Sequence, residues 1–249
     1  MTAWIVINAD DLGYDPAVTR GLLQAMREGI VSSATCMVNL PSSRQAALAA
    51  RGLAVGLHLN LARGRPISSA LPASLLMEGD FDPSQIERLS PDHVAAEARA
   101  QLELLESWLG AAATHLDVHK HLHRHPGVLQ GLARVAVERG LPVRSIDGQM
   151  RAALEALGVA TNDHFLGDAG AEAYWTEPRL LEALATLPDE GVIELMCHPG
   201  HAPERLASGY SHQREVELAT FLSPAARRAL AACGATPATF DVLKRRKVC

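Results

Sequence analysis

Long apolar runs are missing from this sequence. The first, AWIVI, is broken by Asn8, Asp10 and Asp11, so neither a signal peptide nor a membrane span is expected there. CxxC pairs are missing too. Cys36, Cys197, Cys233 and Cys249 stand far apart, which argues against a dense disulfide framework and for a reducing compartment. No strong charge of either sign is present: a net charge of −5 and a pI near 6.1 give no field to gather nucleic acid or an anionic membrane surface. The exception, KRRK at residues 244–247, reads as a solvated terminus. Aromatic residues are scarce at 4%, yet 48% hydrophobic and 20% charged residues describe an ordinary globular chain. These absences lead us to expect a cytoplasmic protein with no nucleic-acid partner and no integral membrane segment. They leave room for a homodimer.

What is present is alternation. AWIVI is followed by the helical pattern PAVTRGLLQAMREG, SATCMV by PSSRQAALAARG, and then comes LAVGLHLNL. Buried strands alternating with amphipathic helices are the mark of parallel βαβ units. Residues 62–89, broken by Pro66, Pro72, Gly79 and Pro83, read as an irregular insertion beside a cleft. A long helix follows, capped by Ser90 with Pro91 at its first position and ended by Gly110. Beyond the histidine-rich stretch the pattern resumes with GVLQGLARVAVERG, the short strand LPVRSI, the helix EPRLLEALATLP, the strand GVIELMC and a last helix, SPAARRALAACG. No linker divides the chain, so one domain over residues 1–249 is expected. The fold class is α/β, a modified (β/α) barrel of parallel strands with its active site at their carboxyl ends.

Four apolar runs end in residues that chemistry uses: Asp10 and Asp11, then His58 and Asn60, then Asp117 and His119, then His198. A lone histidine in a strand is usually a core residue, and paired aspartates often only cap a helix. Four strand ends converging on one crevice carry more weight, because a bound cation would pair several carboxylates and imidazoles at once. The stretch THLDVHKHLHRHP, residues 114–126, holds five of the eleven histidines. As a strand it puts His115, Asp117 and His119 on one face; as a helical turn it brings His119 to His123. His119 is a ligand candidate either way. His121 is open, and His115 and His125 read as structural or solvated. Asp11, His58 and His119 would hold one divalent ion, magnesium or zinc, with positions left for water and substrate. Asp10 is the candidate base and His198 the candidate acid. Asn60, Asp117, His123 and Trp175 are candidate substrate contacts, with Tyr174 and Phe165 beside Trp175 in one aromatic segment.

These motifs resemble those of the YdjC-like (ChbG-type) carbohydrate deacetylases, a family that includes hopanoid-associated members. NADDLG at residues 8–13 is similar to the family's NADDFG, GLHLNL at 56–61 to its second motif, THLDVHKHLH at 114–123 to its THxDSHHHVH and MCHPG at 196–200 to its last. The resemblance implies a modified barrel, a metal on Asp11, His58 and His119, and removal of acetyl groups from N-acetylated amino sugars carried by a small saccharide or glycolipid. Leu12, Val118 and Lys120 depart from the pattern, and Lys120 argues against an essential ligand at that place. The competing expectations are another metal-dependent barrel hydrolase or isomerase, and a non-catalytic metal- or sugar-binding protein.

Overall fold

The computed structural model describes residues 3–244; most of the basic tail, residues 245–247, and Cys249 lie outside them. The chain runs β1 (Ala3–Leu12), α1 (Pro16–Glu28), β2 (Ser33–Cys36), α2 (Ser43–Ala49), β3 (Val55–Leu59), a hairpin of β4 (Leu76–Met77) and β5 (Asp80–Phe81), then α3 (Pro91–Leu109) and β6 (Leu116–Val118). It continues with α4 (Pro126–Arg139), α5 (Gly148–Ala156), β7 (His164–Leu166), α6 (Glu177–Ala185), β8 (Gly191–Cys197), α7 (His212–Leu222), α8 (Pro224–Ala232), β9 (Thr236–Pro237) and α9 (Asp241–Lys244).

The main sheet is parallel in the order β6-β3-β2-β1-β8-β7, with β9 on the lower half of β1. Backbone bonds carry it round into a modified barrel. Leu116 N donates to Pro142 O at 2.9 Å, Val143 N to Ala160 O at 3.0 Å and Asp163 N to Val192 O at 2.9 Å. The segment LPVRSI, expected as a strand, is therefore only a bridge between Leu116 and Val143. Pro142 has no N–H to give the ladder, and Asp147 caps α5 immediately afterwards.

The two-residue period of the strands sorts their side chains. Ile5, Ile7 and Ala9 of β1 join the large core under the helices. Val6, on the other face, packs inside the barrel with Val192, Phe240 and Leu243. Further up that face come Asn8 and Asp10 of β1 and Glu194 of β8, all buried. The interior is thus an apolar plug below and a polar network above. The insertion is not wholly irregular: it holds two 3₁₀ segments and the β4–β5 hairpin, and Glu97 of α3 accepts the N–H groups of Ile67 and Ser68. Among the described residues no helix is long and apolar enough to cross a membrane.

Candidate metal centre and active-site cleft

Asp10 and Asp11 follow each other on one strand and should face opposite ways. The chain solves this by turning at Asp11 itself, whose φ is +72°, where the register with β2 shifts. Aspartate tolerates this left-handed region better than most residues. Arg214 of α7 holds the result by donating to Asp11 Oδ2 at 2.6 Å. That leaves Oδ1, which is buried and without an aligned hydrogen bond, facing His58 Nε2 at 3.3 Å and His119 Nδ1 at 3.2 Å. The two ring nitrogens are 3.2 Å apart.

Three lone-pair donors converging on a point with no proton to share fit a cation better than they fit each other. His58 is prepared for it: its Nδ1 donates to Asp117 Oδ1 at 2.7 Å, which leaves Nε2 as the ligand atom. Burial opposes charge on His58, but Asp117, Asp11 and Asp10 outweigh it and push its pKa up to about 10, so without an ion a proton takes the ion's place. Burial pushes His119 down, with partial compensation from Asp11. Asp10, His58 and Asp117 also cluster, but Arg144 already neutralises that triad.

Arg144, which the sequence reading missed, is fully buried and binds three carboxylates. Its Nη1 and Nη2 donate to Asp10 at 2.6 and 2.7 Å, its Nε to Glu194 at 2.7 Å, and Nη1 lies 2.9 Å from Asp117. Burial alone would raise the Asp10 carboxyl; Arg144 pulls it far below the usual carboxylate range. Glu194, with one oxygen unpartnered, goes the other way, raised by burial to about 7. Burial pushes His198 down to about 4 against the pull of Asp11 and Asp10.

Asp10, Asp11, His58, His119 and His198 line one cleft of about 660 Å³, with Tyr14, Arg63, His121, Tyr210 and Arg214 on its walls. The four expected substrate contacts are not on those walls, and each needs correction. Asp117 lies beneath His58, whose ring it orients. The Asn60 amide is spent on Asn39, Arg63 and Ala62 in its own loop. Trp175 is 1% exposed, with its indole N–H on Met196 O at 2.7 Å and its ring against Tyr174 and Phe221, so no sugar can stack on it.

His123 is displaced because residues 119–124 form a 3₁₀ segment with Lys120 and His121 left-handed. This is neither of the geometries expected. It keeps His119 and His121 at the cleft and turns His123 toward an apolar groove of about 1000 Å³ between α4 and α5. That groove is larger than the cleft but holds none of the converging donors, so size does not mark the reactive site here. Phe165 stands edge-on to His121 at 5.7 Å. A basic residue in the segment LPVRSI was the one sequence signal for Arg144. Arg214 and Glu217, on a helix not anticipated, gave none.

A parallel α/β barrel with two imidazoles, a carboxylate and a flanking carboxylate–imidazole pair at its carboxyl end defines the class, a barrel built for one cation and one hydrolysable ligand. Within that class the chain belongs to the YdjC-like protein family, whose profile matches residues 4–232. It is 35% identical to a carbohydrate deacetylase of Geobacillus stearothermophilus, over 90% of this chain and 91% of that one. It is 31% identical to a chitooligosaccharide deacetylase of Serratia marcescens, over 98% and 100%. A solved structure from Enterococcus faecalis V583 superposes with TM-score 0.83 at 27% identity, covering 98% of this chain and 99% of that one. The Xyl-CE4 domain of a termite-hindgut xylanase, at 11% identity and TM-score 0.51 over 98% and 90% of the chains, shares the fold.

Proposed function

We propose that this protein is a metal-dependent carbohydrate N-deacetylase that removes acetyl groups from N-acetylated amino sugars. The observation that carries the reading is the donor triangle of Asp11, His58 and His119 with Asp10 and His198 on the same cleft floor, in a chain whose relatives are deacetylases. Two imidazoles and one carboxylate suit a zinc-like ion better than magnesium, which prefers oxygen ligands. When bound, such an ion polarises the acetamide oxygen and lowers the pKa of water.

The protein's residues do the rest. Arg144 keeps Asp10 ionised at every working pH, so the base is always in its accepting form, at the cost of a weaker pull on the proton. His198 is neutral at pH 7 and acts as acid only after receiving a proton. The single proton lost by the attacking water and taken by Asp10 balances the one gained by the departing amine. Tyr14, Arg63, His121 and Tyr210 border the sugar. Acetate release from N-acetylglucosamine oligomers, followed by mass spectrometry for loss of one acetyl group, tests the reading. Chelation should abolish it while the far-UV CD spectrum persists, and turnover indifferent to chelation would remove the metal from the scheme.

A further inference from the structure

Two side chains of α7, one turn apart, hold both halves of this machinery although α7 carries none of the strand-end motifs. Arg214 grips Asp11. Glu217 is fully buried and gathers donors from three segments. The backbone N–H of His198 donates to its Oε2 at 2.5 Å, the Tyr210 hydroxyl to its Oε1 at 2.5 Å and the Trp175 N–H to Oε1 at 3.4 Å. The Tyr210 hydroxyl also accepts from Tyr174 N at 3.0 Å, so it is committed to the scaffold, while its ring lies 5.3 Å from the imidazole of His198. Glu217 is not on the cleft wall.

We propose that Glu217 is the positioning residue of His198, fixing through the backbone N–H of residue 198 and through the Tyr210 ring where that imidazole stands in the cleft. The inference rests on the reading of His198 as the acid. A carboxylate is required because all its neighbours donate. A glutamine offers one acceptor oxygen and one NH₂ group; turned either way, the NH₂ meets the His198 N–H or the Tyr210 hydroxyl, and one anchor is lost.

The test is a double-mutant cycle on acetate release. A displacement of about 1 Å at a reacting group can cost about a hundredfold, so E217Q should lower kcat by about that factor, with KM changed less than about threefold and metal content unaltered. E217D, which keeps both acceptors on a shorter stem, should recover part of the loss. In an H198A background E217Q should cost less than about twofold more, because the group it positions is gone. A loss that multiplies in full in that background, a rise in KM at unchanged kcat, or a metal content falling with activity would overturn the proposal. If E217Q does not fold, E217D in the same cycle decides by the same criteria. An H198A protein as active as wild type would instead overturn the acid reading, and the positioning role with it.

Discussion

The strand β6 is three residues long and has a histidine at each end, and the two have nothing else in common. His115, before the strand, lies toward the apolar plug, stacked on Phe240 with ring centroids 3.7 Å apart and its Nε2 unpartnered. Gly56 on the neighbouring strand makes room for it, since a Cβ there would come within 2.5 Å of the ring. His119, after the strand, meets Asp11 and His58. Burial is nearly complete at both, and burial pushes both pKa values down. What separates them is the neighbouring charge: Asp11 touches His119, and no carboxylate touches His115. A buried histidine in this barrel is a ligand where a carboxylate shares its pocket and a packing element where a benzene ring does.

The comparison is broken most forcefully at the upper pole. Asp10→Asn should keep the ion but lose about 10²- to 10⁴-fold in kcat, since an amide cannot take the proton, whereas Asp11→Asn should lose the ion. Metal analysis beside kcat checks both, and a metal-free Asp10→Asn protein with a loaded Asp11→Asn protein would exchange the roles.

Arg144→Met tests what holds that pole together. It strands three buried carboxylates, and breaking such a cluster typically costs about 3–5 kcal/mol. Urea denaturation at neutral pH reads the loss, and it should shrink in acid as the carboxylates protonate. Unchanged stability would mean that Asp10, Asp117 and Glu194 are not ionised together.

One step outward, Asp117→Asn leaves all three ligands but weakens the orientation of His58, so metal affinity should fall about 10- to 100-fold. His119→Ala should bind no stoichiometric ion, while His115→Phe and His125→Ala should bind it as wild type does. Loss of metal in His115→Phe would merge the two poles.

The smallest effect is a slope. His115 has a folded pKa well below its unfolded value, so below about pH 6.5 the unfolded chain binds the extra proton and stability falls as pH falls. His115→Phe keeps the stack and removes that proton, so its stability should decline less steeply below about pH 6.5, by up to about 1.4 kcal/mol per pH unit. An identical slope in both proteins would show that His115 is protonated in the fold.

Much of this was legible beforehand. The alternation of apolar runs and helical patterns marked β1, β2, β3 and β8 with the helices between them, because the periods are local properties of the chain. The Ser90 cap, Pro91 and Gly110 marked α3 to the residue. Asp10, Asp11, His58, His119 and His198 could be singled out because each ends an apolar run. Arg144, Glu194, Arg214 and Glu217 could not: an arginine after a short strand, a glutamate inside one and two charges on an amphipathic helix read as solvated until the fold removes the water.

The sequence by itself determined the barrel class, the strand ends at which chemistry gathers and the residue types able to hold a cation, since these follow from local period and side-chain chemistry. Only the tertiary structure decided that Asp11 turns back by a left-handed φ, that Asp117 orients His58, that Trp175 and His123 leave the cleft and that Arg144 fixes the charge of Asp10. Each of these depends on which side chains from distant parts of the chain share one water-free space, where a neighbour within 3 Å outweighs anything its own sequence position can say.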